Sequence, residues 1–440
     1  MKNVVKFLLE INKLKDMPRT GWVLMGIRNP ETIAEHTFRV AVAAWLLGER
    51  KKINAERAIK IALFHDLCEV YAGDMTPFHY YSQLPKDKRK RRKILMKWVR
   101  LSKKEKEKRG KIKFEKEKKA LLKLTRYLKP ALKKEIVSCW LDYEQRTSKE
   151  AKFVKQLDRI ETLIQSIEYF GTKGEAGGTS WWEGTEEIVE DPLLLEFLKV
   201  IQKKFYGHLP KEERVRLHLP TIKAHYKRHK ERRELGNILN FLLEIGKLKK
   251  IPRLYWLIRN VKKPETVAGH IFTVVLMAWL LQGEKNLKYN MEKLLKMALC
   301  HEISAVYTGD TTPYDKILSK KKKNKSEILK KSPRLSQKEK TKIFIEDFKR
   351  EKKALNKLSV KLKPPIKKEI IQLWKEYRTR STQEGHFLSQ LNSLAVLLQA
   401  LIYEEEEKGF SAAPIWEWVF EISDNPISFA LMEEMKKKFY

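Results

Sequence analysis

The sequence repeats itself once, and this duplication restricts the possible folds more than any other feature. The segment NVVKFLLEINKLKDMPRTGW at Asn3–Trp22 returns as NILNFLLEIGKLKKIPRLYW at Asn237–Trp256, 234 residues later. NPETIAEHTF at Asn29–Phe38 likewise returns as KPETVAGHIF at Lys263–Phe272. Two copies of one pattern are expected to form two copies of one fold.

The spacing of the copies defines the expected domain organisation. Each copy holds about 205 residues, a length that suits a single domain. We predict domains at 1–206 and 237–440, joined by a charged, amphipathic helical connector at 207–236. Hydrophobic residues make up 42% of the chain, which is enough to build a core in each domain.

Hydrophobic periodicity predicts helices nearly throughout both copies. Ile59, Leu63 and Val70, for example, recur at helical spacing around the most polar motif of the first copy. No stretch shows a convincing alternation of apolar and polar residues, which is the pattern of a half-buried strand. The expected fold class is therefore all-α, with two tandem helical domains.

Cysteine usage and hydropathy indicate a cytoplasmic protein. The three cysteines, Cys68, Cys139 and Cys300, are odd in number and form no CxxC pair, so we expect neither disulfides nor a thiolate zinc site. The first 18 residues lack the uninterrupted apolar core of a signal peptide. The longest apolar run, 40–48, is too short to span a bilayer, so no membrane partner is expected.

The chain is strongly basic, with 93 Lys and Arg against 56 Asp and Glu, a formal net charge of +37. Lysine-dense segments follow the motif in both copies, at 86–119 and 319–331. In the first, Leu95, Trp98 and Val99 form a narrow apolar stripe on a basic helix. We interpret these segments as solvated helical excursions. Binding of nucleic acid or an acidic partner is the alternative, and steep salt dependence would reveal it.

Both copies carry a cluster of residue types that bind metals, with altered acids in the second. FHDLCEVYAGDMTP spans Phe64–Pro77, and CHEISAVYTGDTTP spans Cys300–Pro313. In the first, His65 and Asp66 are adjacent on a predicted helix. Glu69 is expected to project from the same face one turn later.

Two further residues complete a candidate ligand set in the first copy. His36 and Asp158 lie on two other predicted helices. Together with His65 and Asp66 they offer two imidazoles and two carboxylates, a set that suits a divalent ion of the Mn, Fe, Co or Zn type. Such a set leaves coordination positions open for water and a phosphate oxygen.

The order of these residues (His, then His-Asp, then a distant Asp on a helix) resembles the HD-domain metal-dependent phosphohydrolases. PRTGW, NPETIAEH, HDLCEVYAGDMTP and KEAKFVKQLDRIE together resemble the 5′-deoxynucleotidase branch of that family. The resemblance covers most of 1–206, apart from 86–119. It implies an all-α domain that uses a divalent metal to hydrolyse deoxyribonucleoside 5′-monophosphates to nucleoside and phosphate.

The resemblance also implies roles for individual residues of the first copy. The metal ligands would be His36, His65, Asp66 and Asp158; the catalytic carboxylates would be Glu69 and Asp74; and the substrate-binding residues would be Arg19, Trp22 and Lys155. Arg19 would pair with the phosphate, a contact that its planar fork suits. Trp22 would pack against the sugar and disfavour a 2′-hydroxyl.

The second copy departs from this pattern at the proposed ligands and acid. His270 and His301 remain, but Glu302 stands for Asp66, Ala305 for Glu69, Asn392 for Asp158, Gly269 for Glu35 and Ser389 for Lys155, while Arg253, Trp256 and Asp310 are retained. We predict that this copy binds metal weakly or not at all, because a neutral amide is a poorer ligand than a carboxylate. A structural or regulatory role is expected. Members of the family act as dimers, so the chain would form a pseudo-dimer by itself, with further oligomerisation left open.

Two alternatives stay open at this point. HD domains catalyse several phosphohydrolase reactions, so the substrate could instead be a cyclic nucleotide or an alarmone. The second alternative is a nucleic-acid-associated protein that acts through its basic segments, with the metal pocket secondary.

Overall fold

The computed structural model describes residues 1–76, 85–95, 102–171, 179–210, 212, 219, 229–312 and 335–440. Within these ranges the chain is helical, and β structure is limited to the isolated bridges Pro18↔Thr32 and Pro252↔Thr266. The predicted all-α fold class is confirmed. The basic segment 319–331, Trp98, Val99, the side chain of Leu95 and most of the expected connector lie outside the described residues.

The two sequence copies form equivalent series of helices. The first comprises α1 (Lys2–Asn12), α2 (Thr20–Leu24), α3 (Ile33–Lys51), α4 (Ala55–Phe64), α5 (Glu69–Ala72), α6 (Lys88–Leu95), α7 (Lys103–Thr125), α8 (Pro130–Gln145), α9 (Lys149–Phe170), α10 (Thr179–Glu186) and α11 (Pro192–Tyr206). The second comprises α12 (His229–Gly246), α13 (Leu254–Ile258), α14 (Val267–Lys285), α15 (Met291–Cys300), α16 (Ala305–Thr308), α17 (Gln337–Ser359), α18 (Pro364–Thr379), α19 (Gln383–Glu406), α20 (Ala413–Ile422) and α21 (Pro426–Phe439).

The compact units do not follow the sequence copies at α1 and α12. The first unit comprises Glu10–Leu242, and the second comprises Met1–Leu9 together with Leu243–Tyr440. Each division falls inside a helix. The apolar face of an amphipathic helix shows that it is buried, but it does not show against which core. The expected connector boundaries at 207 and 236 stay a prediction.

The core of the first unit is built around α3, which packs against α4 and α9. A capping box begins α3: the Thr32 hydroxyl accepts from Glu35 N, and the Glu35 carboxylate accepts from Thr32 N. The helix is buried from Ile33 to Gly48. The cap therefore sets where α3 begins, and with it the position of His36 on the buried part of the helix.

The His-Asp pair lies in a turn and not within a helix, which corrects the expectation from the sequence. Helix α4 ends at Phe64 and α5 begins at Glu69. The intervening backbone is held by i→i+3 bonds, such as Glu69 N to Asp66 O at 3.0 Å. This tighter winding is common at helix ends, and it turns His65 and Asp66 toward α3 and α9.

Two helices of the second unit are long and apolar enough to pass a test for membrane spans. They are Val267–Lys285 and Gln383–Glu406, with mean hydropathies of 1.3 and 1.2. Of these stretches, 89% and 72% are buried inside the protein. Their apolar surfaces are thus used by the protein core, as expected for central helices of a globular domain.

Candidate metal and phosphate site

His36 is oriented by a carboxylate that sequence reasoning missed. Its Nδ1 contacts Glu161, whose other oxygen accepts from Arg39 Nε at 2.7 Å. With Nδ1 protonated toward Glu161, the Nε2 lone pair is free to bind a metal. Nε2 is buried without a hydrogen bond and lies 3.2 Å from Asp158 Oδ1.

His65 and Asp158 are each held by one hydrogen bond, which leaves a second side-chain atom available to bind a metal. His65 Nδ1 donates to Ala62 O at 2.7 Å, and its buried Nε2 has no hydrogen bond. Asp158 Oδ2 accepts from the Tyr143 hydroxyl at 2.8 Å, which leaves Oδ1 toward His36. Asp66 Oδ2 lies 3.1 Å from His65 Nε2.

The four side chains fit a divalent ion. Ligand atoms of His36, His65 and Asp66 lie within 4.8 Å of one another, and Asp158 joins them through His36. Two orphaned buried imidazole nitrogens and two carboxylates form the donor set that borderline divalent metals prefer.

Protons compete for this site. Burial and the Arg19 charge lower the pKa of His36, but Glu161 and Asp158 outweigh them and raise it to about 9. The imidazole is therefore protonated at neutral pH, and a metal ion must displace that proton.

We expect the affinity for Mn²⁺ to rise about tenfold per pH unit between about pH 6 and 8, because one proton leaves for each ion bound. The measurement is a competition titration against a chelator of known pH dependence. An affinity that is flat over this range would show that His36 carries no competing proton.

Glu69 is a buried acid beside the ligands. The residue is only 4% exposed, and its Oε2 atom has no hydrogen bond. Burial, followed by the charges of Asp66 and Asp74, raises the pKa of Glu69 well above its ordinary value. A raised pKa favours the protonated carboxyl group, the form that can donate a proton.

Arg19 and Asp74 form the opposite wall. Arg19 donates to Asp66 Oδ2 at 2.8 Å, and its Nε lies 3.7 Å from Asp74 Oδ2. The same Asp74 oxygen accepts from Thr20 N at 2.7 Å. Asp74 therefore holds the start of α2 and the guanidinium that precedes it.

Trp22 lies at the edge of the cavity, with most of its ring in the core. Its Nε1 donates to Glu31 at 2.9 Å, and only 2% of the residue is exposed. Trp181 packs against it with ring centroids 4.6 Å apart, and both residues line the cavity. Trp181, from α10, was not among the residues expected from the sequence.

The basic segment contributes to the site, which its composition did not predict. Lys113 and Glu117 of α7 line the cavity, and Lys113 Nζ lies 3.3 Å from Glu117 Oε1. Lys155 also lines it, donates to Glu144 at 2.9 Å and sits over the Tyr143 ring. Part of the segment 86–119 therefore forms a wall of the cavity.

Helical spacing could have indicated Glu161 and Arg39, the two residues that hold His36 and were not expected from the sequence. Glu161 follows Asp158 by three residues on α9, and Arg39 follows His36 by three on α3. Residues three apart share a helical face. Which of several such neighbours reaches the imidazole depends on how α3 and α9 pack.

The second unit retains part of the ligand cluster but changes its hydrogen bonding. His270, His301 and Glu302 still gather as a metal-type group. However, His270 Nε2 lies 2.6 Å from Asn392 Oδ1, an oxygen that can only accept. The nitrogen that would bind metal therefore carries the proton. Ala395 stands at the place of Glu161, and His270 Nδ1 instead faces a carboxylate oxygen of Glu265 at 3.6 Å, which is too far for a hydrogen bond.

We expect Glu161→Gln to weaken metal binding about 10- to 100-fold, because an amide no longer fixes the His36 tautomer or raises its basicity. Glu168→Gln is the matched control. Glu168 lies on the same helix as Glu161 and accepts a hydrogen bond from Arg39 at 2.7 Å, but it does not contact His36. Metal titration compares them. Equal losses in both variants would attribute the effect to Arg39 and not to His36.

The comparison with known proteins agrees with this geometry. The HD domain family matches residues 11–183 and 245–416, which is most of the chain, and the protein belongs to that family. Both copies are covered, so the tandem duplication of an HD domain is confirmed.

Individual relatives are similar to the chain over about half of its length. The chain is 33% identical to 5′-deoxynucleotidase HDDC2 of Danio rerio over 210 residues, 48% of this chain and 91% of the relative. It is 31% identical to 5′-deoxynucleotidase hdd1 of Schizosaccharomyces pombe, over 46% of this chain and 90% of the relative. Among solved structures, the PH0347 protein from Pyrococcus horikoshii OT3 is 23% identical, covers 45% of this chain and 96% of its own, and has a TM-score of 0.33.

Proposed function

We propose that the first unit is a metal-dependent 5′-deoxynucleotidase, which hydrolyses deoxyribonucleoside 5′-monophosphates to deoxynucleoside and phosphate. The observation that carries the proposal is that His65, Asp66 and Asp158 line one small cavity together with the buried acid Glu69 and with Arg19, a residue type that binds phosphate. The names of the relatives at 31–33% identity support the same reaction.

His36, His65, Asp66 and Asp158 would hold the ion, of the Mn, Co, Fe or Zn type. When bound, a divalent ion supplies Lewis acidity: it lowers the pKa of water and neutralises charge on the phosphate. The support for this assignment is the donor set and its two orphaned imidazole nitrogens.

The remaining polar side chains would bind the phosphate and move a proton. Glu69 would donate a proton to the leaving 5′ oxygen, because its raised pKa favours the acid form and it lies one short turn from Asp66. Arg19 would bind the phosphate through two parallel hydrogen bonds. Asp74 would position Arg19 rather than exchange protons, since its oxygen already accepts from Thr20 N. Lys155 would add positive charge beside the phosphate.

The two tryptophans supply the non-polar part of the pocket. Trp22 and Trp181 form its aromatic wall, against which a sugar would pack. Discrimination against a 2′-hydroxyl would follow from this close packing, because an unpaired buried hydroxyl is costly.

The second unit would play a structural or regulatory role beside one working site. We place the protein in the cytoplasm, because its three cysteines are buried and free of disulfides. A nucleic-acid partner is not favoured, since part of the basic segment lines the small-molecule cavity.

The test is phosphate release from a panel of deoxy- and ribonucleoside 5′-monophosphates. Chelator-stripped protein would be assayed with Mn²⁺, Co²⁺, Zn²⁺ and Mg²⁺ in turn. We expect metal-dependent release from the deoxy series. Absence of release from every monophosphate, with metal bound, would refute the proposal and turn attention to cyclic nucleotides and alarmones.

A further inference from the structure

Lys113 brings a positive charge from the basic segment into the cavity of the first unit. It lies on α7, and its Nζ is held 3.3 Å from Glu117 Oε1, one turn later on the same helix. Glu117 is only 3% exposed, so it ties the lysine to the buried side of α7. The Lys113 side chain keeps 38% exposure. Because an ammonium group has three N–H donors, the contact with one carboxylate leaves donors for a ligand.

A second lysine is arranged in the same way. Lys155 of α9 lines the same cavity and donates to Glu144 Oε1 at 2.9 Å. Burial lowers the pKa of Lys155, Glu144 raises it, and the charge of Lys113 lowers it further. The two ammonium groups therefore repel each other within one small cavity. An anion bound beside both of them would replace this repulsion with two attractions.

The acids of the cavity are compatible with an anion once a divalent ion is bound. Asp66 and Asp158 are proposed ligands of that ion, and the raised pKa of Glu69 favours its uncharged form. Among the described residues, the other lining carboxylates are Asp74, Glu117 and Glu144, and the lining cations are Arg19, Lys113, Lys155 and Arg159. Since the ion offsets the charge of its two carboxylate ligands, four cations then face three carboxylates.

The second copy shows that the fold does not require a lysine at this place. Helices α7 and α17 are equivalent and both have 23 residues. Asp347 stands in α17 where Lys113 stands in α7, although Glu351 is retained at the place of Glu117. Arg378, from another helix, lies 3.1 Å from Glu351 instead. A buried acid here can thus be neutralised without a lysine on its own helix.

The lysine occurs in the copy that keeps the other residues of the proposed chemistry. The first copy has Glu69 and Asp158, where the second has Ala305 and Asn392. Lys113 accompanies the first set and is replaced in the second. This distribution fits a residue that acts on the substrate better than one that only supports the fold.

We infer that Lys113 binds the phosphate of the substrate together with Arg19 and Lys155. The basic segment then supplies a residue of the active site and is not only a solvated surface. The role deepens the function proposed above and rests on it, because the phosphate is that of the proposed substrate.

Calorimetric titration of the full, Mn²⁺-loaded chain with inorganic phosphate tests this inference without turnover. Lys113→Met keeps the length of the side chain and removes its charge, so we expect phosphate affinity to fall about tenfold. Lys113→Arg keeps the charge and should stay within about threefold of the unmodified protein. The matched control is Lys111→Met, which changes an exposed lysine of α7 that does not line the cavity. At about 0.15 M salt this distant charge is screened, so affinity should be unchanged.

Lys113→Met also leaves the buried Glu117 without its partner, and a double-mutant cycle separates that effect. Lys113→Met is measured both in the unmodified protein and in Glu117→Gln. We expect it to weaken phosphate binding about tenfold in both, because the lost contact is with phosphate. A loss that disappears in Glu117→Gln would make Lys113 a structural partner of Glu117 and overturn the inference. Unchanged phosphate affinity in Lys113→Met would overturn it as well.

The inference and the proposed function fail independently in these experiments. Lys113-dependent phosphate binding, without phosphate release from any monophosphate, would support the phosphate site and count against the proposed reaction alone. Phosphate release with unchanged phosphate affinity in Lys113→Met would overturn only the role of Lys113.

Discussion

Replacing Asp66 with alanine is expected to reduce metal-dependent phosphate release by about 10³-fold or more, because the change removes a ligand of the ion on which the chemistry depends. It also removes the hydrogen bond that Asp66 accepts from Arg19 at 2.8 Å. The matched control is Glu302→Ala at the equivalent position of the second unit. That carboxylate likewise contacts an arginine, Arg253, so the two variants lose similar local interactions.

Two measurements make the comparison decisive. Phosphate release reports activity, and metal content after dialysis reports the ion. We expect Asp66→Ala to lose both and Glu302→Ala to lose neither. If Glu302→Ala were the variant that lost activity, the working site would be in the second unit and the assignment would be reversed. If both lost half, each unit would carry a working site.

Glu69→Gln is expected to lower kcat about 10²- to 10⁴-fold, because the amide cannot transfer the proton that the leaving oxygen needs. The substitution preserves size and hydrogen-bonding shape. Since Glu69 is not among the proposed ligands, metal content should be unchanged. Burial, followed by the charges of Asp66 and Asp74, raises the pKa of Glu69 well above its ordinary value, which favours the acid form.

The pH profile of kcat separates this role from a structural one. With Glu69 present, kcat should fall as the pH rises through the raised pKa of the acid, because the carboxyl group then loses its proton. That descending limb should be absent in Glu69→Gln. A variant that loses activity but keeps the limb would show that another group supplies the proton. Loss of metal from the variant would instead make Glu69 a ligand.

The changes in the second unit extend beyond the three altered acids. Restoring Glu302→Asp, Ala305→Glu and Asn392→Asp would return carboxylates to the site. Ala395 would still leave His270 Nδ1 without the partner that Glu161 provides to His36. Because the proton on an imidazole follows its hydrogen bonds, ligand identity alone does not restore a metal site.

The sequence alone determined the repeat, the helical class and the family. The repeat and the helical class follow from residue order and hydrophobic periodicity, which are visible in local stretches of the sequence. The family follows from motifs that occur in a fixed order. The candidate ligands His36, His65, Asp66 and Asp158 could be proposed from the same order, because each belongs to a recognisable segment.

Only the tertiary structure decided which neighbours act on those residues. The packing of α3 against α9 brings Glu161 to His36, and the placement of α7 brings Lys113 into the cavity. It also decided that Met1–Leu9 belongs to the compact unit of the other copy. A sequence pattern shows which face of a helix is buried. The partner that buries it depends on contacts between residues far apart in the chain, and no local pattern encodes those contacts.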